Sequence, residues 1–176
     1  MTGIKPFLKD REILELYATG VRDFTGYEQL VYITDEILSA DLSRANFSGL
    51  VFFEGYIHGF DFSGANLTET SLEAAYLIRV NLSGANLSGA SLFQTELRGV
   101  NLTGAVLDNV NLWDAEISGC DLTNARLVGA NVENALINGC NLTNANLTGV
   151  NIEDTLNFCS NVFQNTTMPD GSIRSD

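Results

Sequence analysis

The sequence has little of what enzymes are usually built from. It holds one histidine, His58, so no histidine-based triad, HExxH helix or multi-histidine metal site is assembled from it. No phosphate loop and no dinucleotide fingerprint occurs. The three cysteines, Cys120, Cys140 and Cys159, form neither a CxxC pair nor a Cys/His zinc spacing. Two prolines leave no room for a proline-rich linker. Positive charge is also scarce: nine Lys and Arg face 22 Asp and Glu, a net charge of −13. That balance excludes direct binding to nucleic acid or an anionic membrane, both polyanions. Long apolar runs are missing as well. The longest in the repeats is Leu50 to Phe53, and Met1 to Asp10 carries Lys5 and Lys9 without a leader-like apolar stretch. The expectation is a soluble cytoplasmic protein with no cofactor and no catalysis.

What is present is a period of five. Every fifth residue from Leu42 to Ile152 is Leu, Ile, Val or Phe, without a failed step. Two residues earlier stands a small residue at nearly every unit, as at Ala45, Ala65, Ala85, Ala105, Ala125 and Ala145. Neither the 3.6 period of a helix nor plain alternation gives five. The spacing of two within a unit is strand-like, so central and small residues face inward together and their neighbours face out. Glycine recurs at the fifth place, as at Gly49, Gly64, Gly84 and Gly104, where a corner needs a residue without a Cβ penalty.

The motif A-[DN]-L-[ST]-G, as in Ala85-Asn86-Leu87-Ser88-Gly89, resembles the pentapeptide-repeat family over residues 40 to 154. The tail from Thr166 to Asp176 resembles the closing segment of cyanobacterial members. The resemblance implies an all-β solenoid, a right-handed quadrilateral β-helix with four units per coil. Positions twenty apart then stack vertically, and the rod stands about 28 Å tall at ~4.8 Å per coil. Asn-x-Ser/Thr triplets such as Asn66-Leu67-Thr68 follow from the repeat itself and are read as hydrogen-bonded ladders, not glycosylation sites.

Three segments are expected: a helical cap and entry over 1–39, the β-helix over 40–154, and a capping segment and tail over 155–176. Pro6, the apolar Phe7, Leu8, Ile13, Leu14, Leu16 and Tyr17, and Gly20 describe one amphipathic α-helix that covers the open end. Val21 to Gly26 reads as a degenerate first unit, and Tyr32 and Ile37 keep the later register. Phe158 and Phe163 break register and are expected to fold over the last coil. Cys120 and Cys140, twenty apart, stack closely enough to raise the question of a disulfide, but their inward positions mark them as small buried hydrophobes.

The informative residues depart from the repeat. The first and second sides, beginning at Ala40 and Ala45, keep Asn/Asp and Ser/Thr outside almost throughout. The outward column of the third side reads Phe53, Glu73, Phe93, Trp113, Glu133 and Glu153. The fourth reads Tyr56, Tyr76, Glu96, Glu116 and Leu136, with His58, Ile78 and Arg98 after the central residues. Third-side units carry Glu54, Glu73, Asp114, Glu133, Glu153 and Asp154 and no Lys or Arg. Exposed rings among acids suit a basic or amphipathic protein partner. The candidate partner-binding face is therefore Phe53, Tyr56, Glu73, Tyr76, Phe93, Trp113, Glu133 and Glu153, on a monomer or weak dimer. The competing structural reading has these rings lie flat and shield coil edges, and it makes His58 and Arg98 solvated surface residues. Two other roles fit the sequence: a DNA mimic that inhibits or protects a type II topoisomerase, as quinolone-resistance members of the family do, and a structural scaffold.

Overall fold

A computed structural model of the chain describes residues 7–26, 28–32, 39–52, 55–152 and 158–176. Tyr27, Ile37, Phe53, Glu54, Glu153 and Asp154 lie outside the described residues, and with them part of the expected entry segment and two members of the candidate face. The chain winds as a β-solenoid in which positions twenty apart are vertical neighbours on four sides. The first side is the parallel ladder Asp41, Asp61, Asn81, Asn101, Asp121, Asn141, and the second runs Asn46, Asn66, Asn86, Val106, Arg126, Asn146. The third side runs Val51, Ser71, Ser91, Asn111, Asn131. On the fourth, β4 (Tyr56–His58), β5 (Tyr76–Ile78), β6 (Glu96–Arg98), β7 (Glu116–Ser118) and β8 (Leu136–Asn138) form one five-stranded parallel sheet. This is the quadrilateral coil that the resemblance to pentapeptide-repeat proteins implied.

The interior is the column of central and small residues. Leu82, Leu102, Leu122 and Leu142 are at most 3 % exposed, and Ala85, Ala105 and Ala125 are equally covered. Burying such ladders offsets the chain entropy lost on ordering. The first coils are filled by rings instead: Phe24 stacks on Phe47 at 4.8 Å, and Phe47 meets Phe52 and Phe62 edge-on at 5.7 Å. The inward threonines keep their hydroxyls satisfied, Thr95 donating to the Leu72 carbonyl and Thr70 to that of Leu67, both at 2.8 Å. Cys120 and Cys140 are free and buried.

Each coil satisfies its backbone from the coils above and below. The Leu102 N–H donates to the Asp121 carbonyl at 2.7 Å, and the Asp121 N–H returns a bond to Val100 at 3.0 Å. Outward Asn and Asp add two further bonds. They accept from the N–H two residues on, as Asn101 does from Thr103 at 3.1 Å, and they reach along the ladder, as the Asn101 amide does to Asn81 at 3.1 Å. The first three sides end in tight turns closed by bonds such as Ala105 N–H to Leu102 carbonyl at 3.0 Å. The fourth side has Tyr, Glu and Leu where the others have Asn, Asp or Ser, so no such side-chain bond bends it, and it runs as three-residue strands. Val106 and Arg126 keep the turn without the Asn, so that bond reinforces the turn and does not dictate it.

The ends differ from the sequence expectation. Helix α1 spans Asp10–Ala18, while Phe7 and Leu8 belong to strand β1 (Phe7–Lys9), which pairs in parallel with β2 (Glu28–Tyr32). The reason is the open edge: β2 pairs on its other side with β3 (Val51–Phe52), and β1 satisfies the row that would otherwise be bare. The helix buries Ile13 against the coil, and the Tyr17 hydroxyl donates to the Ser43 carbonyl at 2.8 Å. Val31, not Tyr32, stands over Phe52. Asp23 bridges Asn46 and Phe24 is fully buried, so Val21 to Gly26 does act as a first unit, offset by 23 residues. At the other end Val162 bridges Asn141 and Thr167 bridges Asn146. Phe163 thus takes an interior place one level beyond Leu142 instead of folding over it. One inserted residue shifts the register, and the solenoid continues to a closing hairpin of β9 (Thr166–Thr167) and β10 (Ile173–Arg174).

Candidate partner-binding face

The candidate residues divide between two sides that meet at the corner carrying Ala74, Gln94 and Asp114. On the third side Glu73, Phe93, Trp113 and Glu133 follow one another up successive coils. Their order is fixed by the bonds from the Ala74, Gln94 and Asp114 N–H groups to the Phe93, Trp113 and Glu133 carbonyls, at 2.9 to 3.0 Å. Trp113 is 42 % exposed and Phe93 half-buried, with ring centroids 5.6 Å apart and planes inclined by 56°. Glu73 and Glu133 are exposed at the two ends of the pair. The Ser91 hydroxyl donates to Glu73 Oε1 at 2.7 Å and so fixes that carboxylate toward the Phe93 coil.

On the fourth side Tyr56 and Tyr76 are paired in register on β4 and β5, 38 % and 44 % exposed, their rings 6.2 Å apart. His58 lies parallel to the Tyr56 ring at 6.5 Å. Above them Glu96 and Glu116 stack directly, a like-charge pair that would repel. Arg98 sits between them, 2.7 Å from Glu96 and 3.7 Å from Glu116. The sequence left Arg98 as a solvated surface residue; it is half-exposed and also neutralises this column. The third side has no such cation. The two aromatic pairs therefore differ in character, one on a flat and locally balanced sheet, the other on an acidic strip.

The structure does not bring Tyr56 and Tyr76 onto one plane with Phe93 and Trp113, because the corner turns between them. Sequence reasoning missed Ser91, whose role follows from its place 18 residues beyond Glu73, and the pairing of Arg126 with Asp108 at 2.6 Å on the second side. Among the described residues no group of three or more His, Cys, Asp or Glu could hold a metal ion, and no helix is long and apolar enough to cross a membrane. What these surfaces can do chemically is bind: rings offer area and a negative face, and carboxylates offer acceptors.

Comparison with known proteins supports the same architecture. The family model described as pentapeptide repeats matches in eight copies over residues 58–94, 85–124 and 125–155, more than half of the chain. No curated protein matches the sequence. Among solved structures, a pentapeptide repeat protein from the Arabidopsis thaliana thylakoid lumen is 37 % identical with a TM-score of 0.52, over 53 % of this chain and 66 % of that one. HetL, a pentapeptide repeat protein involved in heterocyst differentiation regulation in the cyanobacterium Nostoc sp. strain PCC 7120, is 26 % identical over 95 % of this chain and 100 % of its own, with a TM-score of 0.34. QnrB1, a plasmid-mediated fluoroquinolone resistance protein, is 20 % identical over 72 % of this chain and 78 % of its own, with a TM-score of 0.33.

Proposed function

The chain belongs to the pentapeptide-repeat family, and from that premise we propose that it is a non-catalytic protein-interaction module that docks a basic or amphipathic protein on its third and fourth sides. The observation that carries this reading is the Phe93 and Trp113 pair, set 5.6 Å apart on a side whose described charges are all carboxylates. The first two sides carry mostly Asn, Asp, Ser and Thr at the outward positions. Exposed rings on the third and fourth sides, and acids left unneutralised on the third, run against stability alone and suit a binding surface. Trp113 and Phe93 are the anchors, Glu73 and Glu133 flank them, and Tyr56 and Tyr76 extend the contact around the corner; Phe53 and Glu153, grouped with them from the sequence, lie outside the described residues.

Capture from the source lysate with the wild-type chain and with Phe93→Ser/Trp113→Ser tests the reading. Partners bound by the first and lost by the second, with an unchanged circular-dichroism spectrum, support it. An identical set of captured proteins refutes it. The net charge of −13 also suits a DNA mimic, but here rings interrupt the acids, and Arg98 and Arg126 neutralise Glu96, Glu116 and Asp108. A gyrase supercoiling assay that responds to micromolar protein would move the assignment to that class.

A further inference from the structure

The spacing of the third side says more about its occupant. We propose that this side recognises an extended segment carrying two basic residues four apart, with an apolar residue midway between them. The proposal rests on the reading of that side as a docking face. Glu73, Phe93, Trp113 and Glu133 occupy successive coils, and coils repeat every ~4.8 Å, so the backbones that carry the two glutamates lie about 14 Å apart along the rod. An extended chain rises about 3.4 Å per residue and shows alternate side chains on one face, so residues i and i+4 are separated by roughly 13.6 Å. Residue i+2 then falls at the midpoint, over the gap between the Phe93 and Trp113 rings. A helix would need about nine residues to cover the same distance.

Charge points the same way. The described third-side units hold Glu73, Asp114 and Glu133 and no Lys or Arg, whereas on the fourth side Arg98 already occupies Glu96 and Glu116. Glu73 is fixed by Ser91 through one oxygen, leaving the other as an acceptor. The Glu133 N–H is bonded to Asn131 at 3.1 Å, and no described side chain bonds its carboxylate. A guanidinium at either end can also lie over the neighbouring ring face. The order acid, ring, ring, acid reads alike in both directions, so either polarity of the segment fits.

Trp113 is the single tryptophan of the chain, and its fluorescence reports on this strip directly. The full-length protein is titrated at low salt with acetyl-Arg-Thr-Ile-Thr-Arg-amide and with the permuted acetyl-Arg-Arg-Ile-Thr-Thr-amide, of equal charge and composition. The spaced peptide should give a saturable change in emission. The permuted one should bind about fivefold more weakly, because only one of its cations reaches a carboxylate. Glu133→Gln should weaken the spaced peptide by about the same factor and erase the difference between the two. Equal titration by both peptides, or no response to either, overturns the proposal. If the peptides fail while lysate capture still depends on Phe93 and Trp113, the spacing rule falls and the docking face stands; if capture is also unchanged, both fall. The chain carries one segment of this pattern itself, Lys5 to Lys9 around Phe7. Concentration-dependent self-association abolished by Trp113→Ser would place a second copy on the strip and likewise overturn the assignment to a foreign partner.

Discussion

The corners of the coil give a quantitative test of how the repeat specifies its fold. The fifth place of every described unit from Arg44 to Gly149 lies in the left-handed region, with φ of 53 to 73°. An L side chain there costs roughly 1 to 2 kcal/mol, and replacing glycine by alanine recovers ~0.4 to 1 kcal/mol from the less flexible unfolded chain. Gly104 has open space around its missing Cβ, so Gly104→Ala should destabilise by the net of those two effects, about 1 kcal/mol. At Gly129 a Cβ would stand 2.8 Å from Asn109 Oδ1. Gly129→Ala must therefore also displace that side chain and should cost more. Ala74, at φ 53°, is the reverse case: Ala74→Gly should stabilise by about 1 kcal/mol. Urea unfolding followed by circular dichroism reads these differences as midpoint shifts of about 0.3 to 1 M, given slopes of ~1 to 3 kcal/mol/M. A raised midpoint for Gly104→Ala together with a lowered one for Ala74→Gly would refute the assignment of the corner.

Two further outcomes follow from the described ends and interior. Asp41 has its carboxyl held below the ordinary 3.8, first by the Ser43 N–H, then by the Ser43 hydroxyl, Tyr17 and Arg22. Its folded-state pKa is depressed, so its contribution is present above about pH 4 and lost as pH falls through the lower folded value. Hydrogen exchange of α1 and the first coil should therefore rise at acid pH in the wild type and change less in Asp41→Asn; an identical acid response would exclude Asp41 as the cause. Cys159 is exposed while Cys120 and Cys140 are buried, and the neighbouring Cys140 thiol, together with burial, pushes the Cys120 pKa up. A thiol reagent should label one cysteine in the folded protein and three in urea; prompt labelling of all three without denaturant would contradict the closed shaft.

The centre of the molecule could be read from its sequence because each unit repeats the same local bargain between an inward Leu and an outward Asn. Twenty-residue arithmetic then placed Trp113 over Phe93 and Tyr76 over Tyr56. The ends could not be read that way. The offsets are 23 residues at Asp23 and 21 at Val162; the second shows in the sequence as the lost register of Phe158 and Phe163, a signal that does not distinguish a cap from a further level of the solenoid. Phe7 and Leu8 suit a helix as well as a strand, and the bare edge of β2 decides between them. The corner likewise hid the division of the face: columns gave vertical neighbours, but that Arg98 would bridge Glu96 and Glu116 while the third side stayed unneutralised needed side-chain geometry.

The most direct test of the third side as a docking surface is site-specific cross-linking. A photoreactive phenylalanine analogue replaces Trp113 in one variant and Thr103, on the first side, in another, and both are irradiated in source lysate. Discrete cross-linked proteins from position 113 and none from position 103 are predicted. Equal cross-linking from both, or adducts from 103 alone, would contradict the account.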